Sequence, residues 1–359
     1  MLAALAALSG LGCPATVATA AKAGQRGRLL SEEPRIELRS GFLNTADVEA
    51  IRKLADGLGF SAVDDATSAV NGGEEFVYLN RSLAERKDVA DVANAGWAAS
   101  ERFVSAAAEW AGIPPADATP VVARWESWEP GRYLNRSGLL HLDSRLKPRL
   151  RTTVLAYLGS GRAGTGSHGA EGGYTVFPCV ETDDMTEKEA SRRQRLCSRA
   201  MRHLQHAQEK LLTLHAEGMQ LPPSKQYAFL EEHPELTGLP KLTADGVRPV
   251  NWHWTSEHDA VAETAPGGLR ADPLFALAEA MCRGKAPGLR VSPTPGSAVL
   301  IEAASPERRG ELVPSWQLWH AGCSPLYGQG RRWTLQLFLE GAAPGSCGSR
   351  LGGKAAAAA

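Results

Sequence analysis

The sequence predicts an α+β fold with a mainly β core, a sandwich or jelly roll, flanked by N-terminal helices and interrupted by a long helical insertion. Three observations predict it. Two stretches with apolar residues at helical spacing precede a series of short apolar runs separated by turn residues. The chain carries 37 glycines and 22 prolines among 359 residues, a turn-rich composition that suits many short strands. The strand-like series then breaks between about residues 181 and 286, where charged, helix-favouring residues replace it.

Composition narrows the function classes. The chain is 43% hydrophobic and 22% charged with a formal net charge of -1, a globular composition long enough for one large domain or two smaller ones. Near-neutral charge provides no electrostatic footprint for nucleic acid, so none is expected as a partner. No apolar run approaches the roughly 20 residues needed to cross a bilayer, and no stable membrane span is expected. The six cysteines include no Cys-x-x-Cys pair, which argues against a structural zinc site.

Taken in order, residues 1–33 read as a leader and linker. Met1 to Gly12 is apolar and rich in Ala and Leu, and Ala18-Thr19-Ala20 has the small residues of a cleavage site. A basic leading segment is missing, so a signal segment and a disordered leader both fit. The first would place the chain in the secretory pathway or endoplasmic reticulum, the second in the cytoplasm, and an even cysteine count is compatible with the former. From Pro34 the pattern changes: Ile36 and Leu38 alternate as in a strand. Asn44 or Thr45 then caps a helix with Val48, Ile51, Leu54 and Ala55 at helical spacing. A second helix is predicted over about 88–111, with Val92, Trp97, Phe103, Val104 and Ala107 in its stripe, ended by Pro114-Pro115.

Strand signals follow at Val121–Trp128, Leu139–Leu142, Arg151–Leu158 and Gly172–Pro178, and resume at Gly288–Pro293, Gly296–Glu302, Trp316–His320 and Arg332–Glu340. Between them, Thr186–Ala216 reads as one helical run, followed by a shorter helix and a Pro/Gly-rich stretch. An insertion of this length is a lid, a binding surface or a subdomain. Its His203 and His206 stand one helical turn apart, but no third ligand and no His-Glu-x-x-His pattern accompany them, so they read as solvated helix histidines. The tail at 341–359, ending Gly-Gly-Lys and five alanines, is low-complexity.

The chemistry concentrates in His141-Leu142-Asp143, His320 and Arg331-Arg332-Trp333. Residues i and i+2 of a strand share a face, so His141 and Asp143 reach one metal while Leu142 faces away; a second strand must then bring in His320. Two imidazoles and one carboxylate leave open coordination positions, the facial triad of non-haem Fe(II) oxygenases. With nine histidines and 40 acidic residues, a His-x-acid pair is expected by chance, so the context carries the assignment. A guanidinium suits a 2-oxo acid because it holds a carboxylate through two parallel charge-assisted hydrogen bonds. Strand alternation puts Arg332, Thr334, Gln336 and Phe338 on one face. Trp333, Leu335, Leu337 and Leu339 take the other, an apolar face suited to helices.

These motifs, in order, resemble the prolyl 4-hydroxylase-like family of 2-oxoglutarate/Fe(II) dioxygenases. Trp128-Glu-Pro-Gly-Arg-Tyr133 is similar to its Tyr-x-x-Gly-x-x-Tyr segment, and His141-Leu-Asp143 to its His-x-Asp. Arg151-Thr-Thr-Val-Leu-Ala-Tyr-Leu with Gly172-Gly-Tyr-Thr-Val-Phe-Pro178 is similar to its Arg-x-x-Thr…Tyr-Leu…Gly-Gly-x-Thr-x-Phe-Pro. The run Gly288 to Ile301 and then His320-Ala-Gly-Cys-Ser-Pro…Arg332-Trp333 follow the same order. The likeness spans roughly 34–340 apart from the insertion. It implies a double-stranded β-helix (jelly roll, cupin-like) with His141, Asp143 and His320 as catalytic iron ligands. It also implies Arg332, in preference to Arg331, on the distal carboxylate of 2-oxoglutarate, with Tyr157 and Thr175 hydrogen-bonding that cosubstrate. The implied reaction consumes O2, releases succinate and CO2, hydroxylates a C–H bond, most naturally of a peptidyl proline, and uses ascorbate to restore the iron.

The chain departs from the pattern in three places. Trp128 stands where a tyrosine is usual, Leu134–Gly138 adds about five residues before the metal motif, and the segment from His320 to Arg332 is slightly long. Two other readings stay open: the same chemistry on a lysyl or arginyl side chain or a small molecule, and a catalytically silent jelly-roll module that binds protein through the insertion. A peptide or protein substrate is expected under the first reading; the sequence does not specify an oligomeric state.

Overall fold

The computed structural model describes residues 27–62, 75–80, 90–115, 118–126, 143, 150–160, 172–200, 225, 273–306, 312–314, 316–325 and 330–340. The expected strand at 139–142, the later part of the helical run to Ala216, and His203 and His206 lie outside these residues.

Eight strands form one antiparallel sheet in the order β1 (Arg28–Ser31), β2 (Ile36–Arg39), β9 (Ala298–Glu302), β6 (Leu150–Ser160), β13 (Arg331–Glu340), β5 (Val121–Glu126), β4 (Glu75–Tyr78) and β3 (Ser61–Ala62). A second, three-stranded sheet has the order β12 (Ala321–Gly322), β7 (Thr175–Phe177) and β8 (Leu289–Val291), and β10 (Ala304–Pro306) pairs with β11 (Leu312–Pro314). The chain passes back and forth between the two larger sheets: β5 and β6 lie in the first, β7 and β8 in the second, β9 returns to the first, β12 to the second and β13 to the first. The architecture is α+β with an antiparallel β core.

The two sheets bury a common apolar layer. Ile36, Leu155, Val299 and Ile301 from the large sheet meet Val176, Phe177, Val291 and Ala321 from the small one, with Leu274, Ala278 and Met281 of helix α4 (Pro273–Cys282) in the same cluster. On its opposite face the large sheet packs against α1 (Thr45–Leu58) and α2 (Ala90–Ala111). There Val154, Leu300, Leu335, Leu337 and Leu339 meet Val48, Ile51, Leu54 and Phe103. Burying each such side chain contributes about 1.5–3 kcal/mol relative to leaving it in water. The apolar face anticipated for Trp333, Leu335, Leu337 and Leu339 is therefore the helix-covered one.

Local chemistry explains the helix ends. Asn44 caps α1, its side-chain oxygen accepting from the Asp47 backbone N–H at 2.8 Å; Gly59, at φ 74°, closes the other end and donates to the carbonyls of Ala55 and Asp56. Gly96 sits inside α2, where glycine costs about 1 kcal/mol against alanine. Its place is set by close approach: a Cβ there would stand 2.5 Å from Leu54 Cβ and 2.9 Å from the Ala50 carbonyl oxygen of α1. The end of α2 is tied to β2, Trp110 Nε1 donating to Glu37 Oε2 at 2.8 Å.

Two disulfides hold the small sheet and the ends of the insertion together. Residues 187–200 are helical (α3), and Cys197 within them is bonded to Cys179, which follows β7. Cys282, the last residue of α4, is bonded to Cys323, which follows β12. In α3 the buried Arg193 donates to the Pro287 carbonyl at 2.8 Å and to Glu189 at 2.9 Å.

Two sequence expectations differ locally. The expected strand at Trp316–His320 is a 3₁₀ turn over Trp316–Leu318, and β12 begins only at Ala321. Leu318, Trp319, His320 and Ala321 are all buried, and a short continuous apolar run fits a buried turn as well as a buried strand. Strands β1, β3, β4, β10 and β11 were not anticipated, because runs of two to four residues carry too little periodicity to read. Gly96→Ala is expected to lower stability by about 1–3 kcal/mol through overpacking despite alanine's better helix propensity, measured as a shift in the chemical denaturation midpoint.

Candidate active site

Two of the three residues of the metal pattern lie among the described residues, and they meet. Asp143 and His320 are both buried, and Asp143 Oδ2 is 3.6 Å from His320 Nε2. His320 stands immediately before β12. Its Nδ1 is 2.9 Å from the Leu318 carbonyl oxygen, which the 3₁₀ turn presents. A carbonyl only accepts, so this contact places a proton on Nδ1 and turns Nε2 toward Asp143. Phe177 backs the imidazole, ring centroids 5.6 Å apart. Two donors at about 2.1 Å from one ion stand no more than about 4.2 Å apart, so the 3.6 Å separation fits a shared metal. His141 lies outside the described residues, and among those described no three His, Cys, Asp or Glu side chains cluster.

A second polar group sits between the sheets. Arg332 is 1% exposed, and its Nη2 donates to Thr175 Oγ1 at 2.8 Å. Thr175 Oγ1 is also 2.7 Å from the Tyr157 hydroxyl. Three of the predicted side chains are therefore one connected cluster, drawn from β13, β7 and β6. Arg331 points elsewhere: it is partly exposed, and its Nη1 donates to Glu75 Oε2 of β4 at 2.6 Å. Alternation along β13 separates the two arginines, as the sequence pattern anticipates.

Register builds this cluster. In the large sheet Arg332 pairs with Trp125 of β5, and Tyr157 of β6 pairs with Thr334. In the small sheet Gly322 pairs with Thr175. The Trp125 ring lies against the guanidinium, 4.5 Å from its carbon to the ring centroid, and Tyr157 lies at 5.6 Å. Gly322 stands directly against Arg332. A Cβ at this position would fall inside the van der Waals envelope of Arg332 Nη1 and 2.8 Å from Trp125 Cζ2. Only a residue without a side chain lets the guanidinium cross to Thr175 there. Sequence reasoning named neither Trp125 nor Gly322. Alternation from Val121 does put Trp125 on one face with Ala123, but nothing local says that the face opposes Arg332.

Burial holds the Tyr157 hydroxyl above the usual tyrosine range, with the Arg332 charge and the Thr175 hydrogen bond opposing it. The neutral phenol is the form the fold keeps.

No protein-family model and no curated protein matches this chain. It is similar to solved structures at low identity. The viral collagen prolyl hydroxylase of Paramecium bursaria Chlorella virus-1 matches at 12% identity and a TM-score of 0.36, over 86% of this chain and 96% of that one. A prolyl-4-hydroxylase of Pseudomonas putida matches at 13% and 0.33, over 85% and 92%. The non-heme α-ketoglutarate-dependent carbocyclase SnoK of nogalamycin biosynthesis matches at 9% and 0.38, over 86% and 79%. At these values the likeness assigns no family.

Two outcomes test the cluster. Gly322→Ala is expected to destabilise the fold by about 1–3 kcal/mol by crowding Arg332 and Trp125, read from the denaturation midpoint. Because the Tyr157 pKa is raised on folding, the stability it contributes is complete below the unfolded value of about 10 and is lost as pH rises through the folded one. Tyr157→Phe is therefore expected to lose less stability than the parent between about pH 9 and 11, measured as the difference in midpoint across that range.

Proposed function

We propose that this chain is a 2-oxoglutarate- and Fe(II)-dependent dioxygenase of double-stranded β-helix (jelly-roll) fold that hydroxylates a C–H bond, with a peptidyl proline as its substrate. The observation that carries the reading is the buried approach of Asp143 Oδ2 to His320 Nε2 at 3.6 Å. The ordered sequence motifs around it support the same assignment, as does the winding of the chain between two antiparallel sheets. His141 completes the ligand set in this proposal, two residues before Asp143 in the sequence.

When bound, Fe(II) and 2-oxoglutarate supply the activation of O2, with succinate and CO2 as co-products and ascorbate as the reductant that keeps the iron ferrous. The protein's own groups do the rest. The Nδ1–H of His320, held by the Leu318 carbonyl, keeps Nε2 in the form that donates a lone pair to a metal. Asp143 supplies the negative charge of the ligand set. Arg332 orients the cosubstrate by its distal carboxylate; a guanidinium presents two parallel donors to such a group. Thr175, already accepting from Arg332, has a hydroxyl hydrogen to offer the same carboxylate or Tyr157. The apolar layer between the sheets excludes water from this group of charges and so strengthens each contact.

In this proposal the dioxygenase domain spans 34–340 together with β1, whose residues Arg28–Ser31 the sequence pattern assigned to the leader at 1–33 and the fold places in the large sheet, with the insertion at about 181–286 and the tail at 341–359. The two disulfides support a secretory-pathway or endoplasmic-reticulum location. Among the described residues no helix is long and apolar enough to cross a membrane.

Anaerobic addition of Fe(II) and then 2-oxoglutarate is expected to produce a weak visible charge-transfer band, and a proline-rich peptide is expected to stimulate succinate release. His141→Ala and Asp143→Ala should each abolish turnover; full activity in either removes the metal assignment. Arg332→Met should raise KM for 2-oxoglutarate by about 100-fold, the scale of losing one partner of a buried charge pair. Succinate release that responds to other substrates but not to the peptide would retain the oxygenase and reject proline.

A further inference from the structure

Trp125 is the cross-strand partner of Arg332, on the neighbouring strand and against the same guanidinium. It is 3% exposed, and its indole Nε1–H has no hydrogen-bond acceptor among the described residues. A buried donor without an acceptor costs about 1–3 kcal/mol, so native structures keep few of them. Stacking on Arg332 accounts for the ring, since a cation is attracted to the face of an aromatic. It does not account for the N–H, which lies in the ring plane and takes no part in that contact. A phenylalanine would also stack and would leave no orphan donor.

The direction of the N–H edge is set by Gly322. The point where a Gly322 Cβ would stand is close to both Arg332 Nη1 and Trp125 Cζ2. Cζ2 is bonded to the ring carbon that carries Nε1, so the N–H side of the indole and the tip of the guanidinium converge on the same glycine. That glycine is two residues from His320 in the sequence and opposite Thr175 in the small sheet. A planar cation and a neutral N–H donor with adjacent tips suit one planar anion with two oxygens, a carboxylate.

We infer that Trp125 is a second positioning residue for the 2-oxo acid, its indole N–H donating to the distal carboxylate that Arg332 holds. The inference rests on the reading of Arg332 as the cosubstrate anchor and adds a specificity element to it. Two donors of different kinds select a cosubstrate that ends in a carboxylate over a 2-oxo acid that ends in a methyl group.

The test compares two ligands on the Fe(II)-loaded, anaerobic protein by titrating the charge-transfer band, and 2-oxoglutarate binding is repeated by calorimetry. One ligand is 2-oxoglutarate and the other 2-oxobutyrate, which has the same chelating head but no distal carboxylate. Trp125→Phe keeps an aromatic ring beside Arg332 and removes the donor, and the 2-oxobutyrate arm reports the loss of ring area that accompanies it. It is expected to weaken 2-oxoglutarate binding by about tenfold, the scale of a hydrogen bond to a charged group, and to leave 2-oxobutyrate unchanged. If the variant binds 2-oxoglutarate as the parent does, Trp125 is not a donor and the inference falls while the oxygenase reading stands. Equal weakening of both ligands also overturns it, because the indole would then act only through packing. If the parent protein binds neither, the oxygenase reading itself fails and this inference fails with it.

Discussion

The candidate site is organised by one constraint: a guanidinium buried between two sheets must be given acceptors where water cannot reach it. An ionised group in an apolar interior is tolerated only when paired and hydrogen-bonded. Arg332 meets part of that condition by reaching from the large sheet to the small one, where its Nη2 donates to the Thr175 hydroxyl. The crossing depends on the absence of a side chain at Gly322 and on registers that place Gly322 opposite Thr175 and Trp125 opposite Arg332. A one-residue slip in either sheet would turn one of these groups to the other face.

The same geometry explains why the small sheet is so firmly attached. It has only three strands, and its β12 is two residues long, too short to define a position by its own hydrogen bonds. The disulfides join it to the flanking helices at the two places where the site's strands end: Cys323 directly after Gly322, and Cys179 shortly after Thr175 and Phe177. Each closes a loop that the chain would otherwise have to order on folding. The insertion is therefore covalently part of the frame around His320 and Thr175, whatever else it contributes.

Much of this was legible in the chain. Helical spacing identified the buried stripes of α1 and α2, and residue type narrowed the α1 cap to Asn44 or Thr45, because those patterns are local. Alternation along β13 separated Arg332 from Arg331 and assigned Trp333 and the leucines to the helix-covered face. The turn at Trp316–Leu318 was misread as strand, since an apolar run of this length fits either form. It matters chemically, because the turn supplies the Leu318 carbonyl that sets the His320 tautomer.

By itself the sequence determined the residue types available for chemistry, the ordered motifs that hold them, and which face of each strand a side chain takes. These follow from period-2 and period-3.6 geometry, which acts over a few residues. Tertiary structure alone decided which faces oppose one another: that His320 comes within reach of Asp143, that Trp125 lies against Arg332, and that Gly322 is the gap through which the two sheets share a guanidinium. Such pairings join residues far apart in the chain. Their registers come from packing two whole sheets and their helices together, which no local pattern encodes.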